Sequence, residues 1–133
     1  MFRTMLVEDN RSFRQILKDN LQDLIPSMEI IEAADGVEAF QQIDSHPPDL
    51  IFMDVRLPGE NGLELTRRIK AEHPGIIVII LTSYESPEYR EAAIRRKADY
   101  FFSKGAITND EIFTLVKSII SKKGVSAEGS DGR

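Results

Sequence analysis

Five side chains suited to phosphate and metal chemistry stand at, or just after, the ends of short apolar runs. They are Glu8, Asp9, Asp54, Thr82 and Lys104. If these runs are parallel strands of one sheet, their carboxyl ends share one edge and the five side chains meet there. Taken singly, an acidic residue after a strand more often caps the next helix, and a lone Thr or Lys is ordinary. Their occurrence together in one small domain favours a single site.

The three carboxylates of this predicted site need a cation. Two carboxylates about 4 Å apart repel by about 4 kcal/mol at an effective dielectric constant of about 20. Oxygen ligands without His or Cys indicate a hard ion, and Mg²⁺ usually takes one or two protein carboxylates with waters and phosphate oxygens. Lys104 adds a compact positive charge for a phosphoryl oxygen, and Thr82 adds a hydroxyl donor. Asp54 is then the nucleophile, because carboxylates form aspartyl-phosphates in phosphoryl transfer.

The elements that would position these groups are five apolar runs that alternate with five segments of helical period. The runs are TMLV (4–7), MEIIEA (28–33), DLIFMD (49–54), IIVIIL (76–81) and DYFF (99–102). This alternation predicts an α/β fold, a doubly wound five-stranded parallel sheet with helices on both faces. Runs as uniformly apolar as IIVIIL predict central strands that are covered on both sides.

The first three helical segments carry single apolar stripes. These consist of Phe13, Ile16, Leu17, Leu21 and Leu24, then Val37, Phe40 and Ile43, then Leu65 and Ile69. Asn10 and Asn61 are placed to cap the starts of the first and third helices. Because each stripe is single, each of these helices is expected to cover one face of the sheet.

The last two helical segments differ from the others. The fourth, about 86–97, has few apolar residues and is expected to be the least firmly packed. The fifth, about 107–121, has a wide apolar arc, so its edge at Phe113 and Ile120 is expected to reach solvent. Residues 122–133 have the Gly/Ser-rich polar composition of a flexible tail or the start of a linker.

Composition limits the remaining classes of function. A chain of 133 residues with 41% hydrophobic and 29% charged content fits one globular domain, and no apolar run approaches the length of a membrane span. The net charge of −5 argues against this domain binding a nucleic-acid backbone by itself. His46 and His73 stand beside prolines without metal-site spacing, so we interpret them as loop residues. With no cysteine and no visible export signal, a cytoplasmic location is expected.

Four sequence blocks resemble those of receiver domains in two-component signalling. They are MLVEDN, DLIFMDVRLPGENGLEL, IILTSY and ADYFFSKG, and the resemblance extends from about residue 3 to 121. It implies a receiver domain over residues 1–121, with a flavodoxin-like sheet in the strand order 2-1-3-4-5. Asp54 would accept a phosphoryl group from a histidine kinase or a phosphotransfer protein. The domain would be a signalling switch, with only self-catalysed Mg²⁺-dependent phosphoryl transfer and dephosphorylation.

The resemblance also implies how the metal is held and which residues shape the nearby loop. Asp9 and Asp54 would bind Mg²⁺ directly, Glu8 through a water, and Arg56 through its backbone carbonyl. Gly62 stands at the family position that starts the third helix, and Pro58 matches a position that shapes the loop after Asp54.

Phosphoryl binding and switching follow from the same resemblance. Thr82 and Lys104 would bind the phosphoryl oxygens and, with Asp54, form the catalytic group. Phe101, three residues before Lys104, matches the family's switch aromatic, which turns inward when the Thr moves toward the phosphate. Gly105 replaces the usual proline after the Lys, and a cis bond before a non-proline residue costs about 2.5–4 kcal/mol, so we do not expect one.

Phosphorylation is expected to change the surface formed by the fourth helix, fifth strand and fifth helix. That surface would form a homodimer or contact a C-terminal DNA-binding output domain; no membrane partner is expected. Two alternatives stay open. One is a degenerate receiver that acts only as a dimerisation module. The other is a phosphatase with an Asp nucleophile, which would want a second Asp two residues after the first, where this chain has Arg56.

Overall fold

Strands and helices alternate along the whole of the computed structural model, which describes residues 1–83 and 86–123. The elements are β1 (Arg3–Val7), α1 (Arg11–Leu24), β2 (Glu29–Ala33), α2 (Gly36–Ser45), β3 (Leu50–Met53), α3 (Gly62–Glu72), β4 (Ile77–Thr82), α4 (Pro87–Arg95), β5 (Tyr100–Ser103) and α5 (Asn109–Lys123). All strand pairs are parallel, in the order β2-β1-β3-β4-β5. The predicted fold class and strand order are confirmed.

The sheet separates two layers of core, because successive strand residues point to opposite faces. In β1, Met5 and Val7 face the layer that α2, α3 and α4 cover, and Leu6 faces the layer that α1 and α5 cover. The central strands β3 and β4 are buried along almost their whole length, as predicted from their uniform apolar runs. The edge strand β2 is mostly half-buried.

Two of the residues predicted in the helical stripes are exposed to solvent. Ile16 in α1 is 58% exposed and Val37 in α2 is 68% exposed. Helix α1 buries Leu17 and Leu21, and one step along a helix turns a side chain by about 100°, so Ile16 faces solvent. Val37 also faces solvent. It lies two positions before Ala39, which α2 buries against the sheet, and two steps along a helix turn a side chain to the other side.

The predicted helix caps are confirmed. The Asn10 side chain accepts a hydrogen bond from the Phe13 N–H at 3.0 Å, and Asn61 accepts one from the Glu64 N–H at the same distance. Each bond satisfies one of the free N–H groups in a first helical turn. The two caps therefore fix where α1 and α3 begin, immediately after the loops that follow β1 and β3.

The contrast between the last two helices is also present. Of the nine residues of α4, all described, only Ala93 is buried. Helix α5 buries Ile112, Val116 and Ile119, while Phe113 and Ile120 at its edge are partly exposed. Within the part of the chain that the structure describes, no helix is both long and apolar enough to cross a membrane.

Helix α5 begins slightly later than predicted. The Glu111 N–H donates to Thr108 Oγ1 at 3.1 Å, and the Thr108 N–H donates to Glu111 Oε1 at 2.8 Å. This reciprocal pair is a capping box, which sets the helix start at Asn109. The helix ends at Lys123, and the rest of the predicted tail, residues 124–133, lies outside the described residues.

Candidate functional site

Backbone hydrogen bonds bring the strand ends that carry the predicted site to one edge of the sheet. The Asp54 N–H donates to the Val7 carbonyl at 3.1 Å, which places the end of β3 beside the end of β1. The Lys104 N–H donates to the Thr82 carbonyl at 2.9 Å, which joins the ends of β5 and β4 in the same way. The edge lies where the strand order reverses around β1 and β3, the usual ligand position in an open α/β sheet.

Three of the predicted carboxylates form a cluster at this edge. Oxygens of Glu8, Asp9 and Asp54 lie within 4.8 Å of one another. Glu8 and Asp54 are 4% and 7% exposed, whereas Asp9 is open to solvent. An all-oxygen set that includes two buried carboxylates fits a hard divalent cation such as Mg²⁺. The cluster could therefore bind a metal ion.

Lys104 brings a positive charge to the cluster. Its Nζ lies 2.7 Å from Glu8 Oε1 and 3.3 Å from Asp54 Oδ2, and its side chain is only 14% exposed. Burial raises the pKa of Glu8 and the nearby charge of Asp54 adds to the rise, against hydrogen bonds from Lys104 and the Asn10 N–H that lower it. The lysine offsets only part of the negative charge in the site.

The cluster opens into a cleft of about 570 Å³. Its lining consists of Glu8, Asp9, Asn10, Asp54, Arg56, Leu57, Pro58 and Lys104. Arg56, expected to contribute a backbone carbonyl, is among them, and it occupies the position where an Asp-nucleophile phosphatase would want its acid. Thr82 and Phe101 are not part of the lining, since Thr82 is fully buried and Phe101 is 8% exposed.

Phe101 is a residue of β5, and its ring lies on the side of the sheet that α4 covers. Its side chain belongs to the core layer that also contains Ala93, and Tyr89 packs against that layer. The Arg90 guanidinium covers the ring, 4.7 Å from its centroid, and Arg90 Nη1 donates to the Phe101 carbonyl at 3.5 Å. The predicted switch aromatic therefore contacts the helix that is least firmly packed.

A close approach between backbones shapes the loop after Asp54. An added Cβ at Gly62 would lie 1.8 Å from the Asp54 carbonyl oxygen, and the Gly62 N–H donates to the Val55 carbonyl at 2.8 Å. Only a residue without a side chain fits there. The Asp54 carboxylate is fixed from the same loop, because its Oδ1 accepts the Val55 N–H at 2.7 Å.

The loop after Lys104 closes without a cis bond. The described residues contain no cis peptide bond, so the Lys104–Gly105 bond is trans. The Ala106 N–H donates to the Ser103 carbonyl at 3.1 Å, which forms a tight turn immediately after β5.

Two residues of α1 contact the site although they were not predicted to do so. Phe13, predicted only as a core residue, places its ring centroid 4.2 Å from Lys104 Nζ. Arg14 donates to the Glu8 backbone carbonyl through Nη1 and to Glu32 Oε1 through Nε at 2.8 Å. The available signal was the Asn10 cap, which begins α1 beside the cluster and so brings its first turn to the site.

Comparison with known proteins gives a consistent result. The sequence model of the family "Response regulator receiver domain" matches residues 4–117. The chain is 36% identical over 102 residues to the Oxygen regulatory protein NreC of Staphylococcus carnosus, covering 75% of this chain and 45% of that protein. It is 37% identical over 100 residues to the Transcriptional regulatory protein HptR of Staphylococcus aureus, covering 71% and 37%. The chain thus spans less than half the length of these curated relatives.

A solved structure extends the comparison to three dimensions. The crystal structure of a DNA-binding response regulator of the LuxR family from Staphylococcus aureus matches with a TM-score of 0.82 at 25% identity. The match covers 90% of this chain and 98% of that one.

Proposed function

We propose, since the chain belongs to the family of response regulator receiver domains, that Asp54 accepts a phosphoryl group from a histidine kinase or a phosphotransfer protein. A receiver domain is a signalling domain and not a classical enzyme. The observation that carries the proposal is the cluster of Glu8, Asp9 and Asp54 within 4.8 Å, with Lys104 Nζ 3.3 Å from the Asp54 carboxylate. In the transfer, an Asp54 oxygen attacks phosphorus and the phosphorus–nitrogen bond breaks. The histidine nitrogen keeps the electron pair and takes up a proton.

The metal proposal rests on the donor set of the cluster. Asp9 and Asp54 would bind Mg²⁺ directly, Glu8 through a water, and Arg56 through its backbone carbonyl. When bound, the ion would neutralise charge on the phosphoryl oxygens. The cleft leaves room for waters and phosphate oxygens, which Mg²⁺ usually keeps as ligands.

The remaining site residues are proposed to read the phosphoryl group. Lys104 and the Thr82 hydroxyl bind its oxygens, and the inward shift of Thr82 allows the Phe101 ring to repack behind it. Two observations support this coupling. The backbones of Thr82 and Lys104 are hydrogen-bonded to each other, and Phe101 lies under α4, which buries only Ala93 of its own residues.

The output of the switch is proposed to be the surface of α4, β5 and α5. Phe113 and Ile120 at the edge of α5 are partly exposed and would lie near the contact. The partner is a second copy of the domain or a C-terminal DNA-binding output domain. Support for the second comes from the similar Staphylococcus aureus structure, which is described as a DNA-binding response regulator.

Labelling with acetyl phosphate tests the acceptor. With Mg²⁺, the wild-type chain should gain one acid-stable label of about 80 Da, the mass of a phosphoryl group. Asp54→Asn should gain none, because an amide is a far poorer nucleophile, while Asp44→Asn, an exposed charge control, should label like the wild type. Full labelling of Asp54→Asn would contradict the proposal.

Calorimetric titration with Mg²⁺ tests the metal site separately. Asp9→Ala should weaken Mg²⁺ binding strongly because a ligand and a charge are lost, and Asp44→Ala should leave it unchanged. Equal losses in the two variants would mean that bulk charge governs binding.

Sedimentation with beryllofluoride, a phosphoryl mimic, tests the output surface. The mimic should promote association of the wild type and less association of Phe113→Ala. If it binds while sedimentation and hydrogen exchange over residues 86–120 both stay unchanged, the surface proposal is wrong even if Asp54 is the acceptor.

A further inference from the structure

Among the described residues, three side chains contact the ammonium group of Lys104, and one of them is aromatic. Besides Glu8 Oε1 and Asp54 Oδ2, its Nζ lies over the Phe13 ring, 4.2 Å from the centroid. This distance is well inside the range of about 6 Å in which a cation is attracted to a ring face. The lysine is thus held from the side of α1 as well as by the two carboxylates.

The three contacts match the three N–H donors of an ammonium group. Glu8 and Asp54 each offer a carboxylate oxygen to one donor, and the ring of Phe13 offers its electron-rich face. An aromatic face attracts the cation without placing another anion in a site that already holds three carboxylates. It therefore fixes the lysine without adding negative charge that would repel an incoming phosphoryl group.

The contact with Glu8 is less dependable for orientation. Glu8 is also one of the three carboxylates that could hold a metal ion, so its attraction for Lys104 is shared. Asp54 Oδ2 is at the longer distance of 3.3 Å. The Phe13 contact is free of this competition, and the low exposure of Lys104 strengthens it because little water screens the charge.

Phe13 is itself held firmly in place. Its N–H donates to the Asn10 cap at 3.0 Å, and its side chain packs against the core layer that includes Leu17 and Leu81. The backbone and the ring are therefore both fixed, one by the cap and the other by the core.

We propose that Phe13 is a positioning residue, whose ring face holds the Lys104 ammonium toward Asp54. The inference rests on the proposed role of Lys104 in binding the phosphoryl group. It predicts that the aromatic character of residue 13, more than its volume, sets the rate at which Asp54 is labelled.

The test compares the rate of labelling by acetyl phosphate and Mg²⁺ in four proteins. Phe13→Leu removes the ring and keeps an apolar side chain, while Phe13→Tyr keeps the ring. Phe2→Leu is the matched control, because Phe2 is a buried aromatic of the same core layer at the opposite end of β1. Phe13→Leu should slow labelling about 2- to 30-fold, the range that cation–π strengths from exposed to desolvated sites allow. Phe13→Tyr and Phe2→Leu should both label like the wild type.

A double-mutant cycle on urea unfolding measures the contact without any phosphorylation. It uses Phe13→Leu, Lys104→Met and the double variant. The effect of Phe13→Leu on the unfolding equilibrium constant should be at least about 2-fold smaller once Lys104 is replaced. This measurement still decides the contact if Phe13→Leu folds poorly.

The outcomes separate this inference from the proposed function. If the wild type labels and Phe13→Leu labels at the same rate, the inference is wrong and the proposed function stands. Equal slowing in Phe13→Leu, Phe13→Tyr and Phe2→Leu would also overturn it, since packing alone would then explain the effect. If the wild type does not label, the proposed function fails, and additivity in the cycle would then overturn the Phe13–Lys104 contact as well.

Discussion

Replacing Gly62 by alanine would force apart two backbone segments that meet at the acceptor residue. The new Cβ would lie 1.8 Å from the Asp54 carbonyl oxygen, 2.8 Å from its carbonyl carbon and 3.0 Å from Met53 Cγ. The first two of these atoms are backbone, so they cannot move aside by a change of rotamer. The Gly62 N–H bond to the Val55 carbonyl, at 2.8 Å, would be stretched by the same displacement.

The expected loss of stability follows from comparing two opposed effects. In an open helical position, glycine to alanine stabilises a protein by about 0.5–1 kcal/mol. Inserting a methyl group into a filled space costs about 1–3 kcal/mol, and more when backbone has to shift. The steric cost lies at the upper end of its range here because backbone atoms have to shift, and subtracting the gain leaves a destabilisation of about 2–2.5 kcal/mol for Gly62→Ala. With an m-value of about 2 kcal/mol/M, the midpoint of urea unfolding should fall by about 1 M.

Two other glycines give matched controls for the same assay. An added Cβ at Gly36 would lie 2.7 Å from Leu65 Cδ2, the far end of a flexible side chain, and one at Gly75 would meet nothing within 4 Å. Both alanine variants should stay within about 1 kcal/mol of the wild type. Gly62→Ala should also be labelled more slowly by acetyl phosphate, because the backbone that carries Asp54 is displaced. An unchanged urea midpoint and an unchanged labelling rate in Gly62→Ala would refute the reasoning.

Two further measurements test the electrostatics of the site and the cap of α3. Burial raises the pKa of Glu8 above its ordinary value of 4.5, so its protonated form favours the fold. That contribution is present below the ordinary pKa and is lost as the pH rises through the raised one. In metal-free buffer the stability of the wild type relative to Glu8→Gln should therefore fall as the pH rises from below 4.5 through the raised pKa, and a constant difference in urea midpoints across that range would contradict this. Asn61→Ala removes the acceptor of the Glu64 N–H and should cost about 1 kcal/mol of stability. This should lower the Tm by about 4 °C in a thermal melt. Asp44→Ala, which changes an exposed charge, is the control and should leave the Tm unchanged. An unchanged Tm in Asn61→Ala would mean that the cap adds nothing to stability.

The elements with the strongest sequence patterns were predicted best. In the runs DLIFMD and IIVIIL, apolar residues occupy successive positions and so both faces of the predicted strand. The strands that they form, β3 and β4, are the buried centre of the sheet. The caps at Asn10 and Asn61 were predictable because the chemistry of a first helical turn is local. Ile16 and Val37 were assigned to the wrong face, since an apolar residue one position from a stripe is compatible with either side until the helix is rotated against the sheet.

The site was predictable to the extent that strand ends alone determine it. Glu8, Asp9, Asp54 and Lys104 follow strands whose carboxyl ends share one edge, and no detail of packing is needed to bring them together. The close approach of Gly62 to the Asp54 carbonyl is different in kind. It depends on the path of the loop between the two residues. The sequence resemblance identified Gly62 as a family position, but the steric reason for a glycine there is visible only in the structure.

The contact between Phe13 and Lys104 shows where periodicity stops being informative. Phe13, Leu17 and Leu21 form one inward stripe on α1, and burial increases along it, from a half-buried Phe13 to 5% and 1% exposure in the other two. The stripe therefore runs from the edge of the site into the core. The spacing of apolar residues in the sequence is the same at both ends of the stripe, so it does not show which end contacts the site. What distinguishes Phe13 is that it is the first inward residue of a helix that starts directly after a site strand. In a parallel α/β sheet the same topological position follows every site strand, so the first inward residue of each such helix is the one to examine for contact with the site.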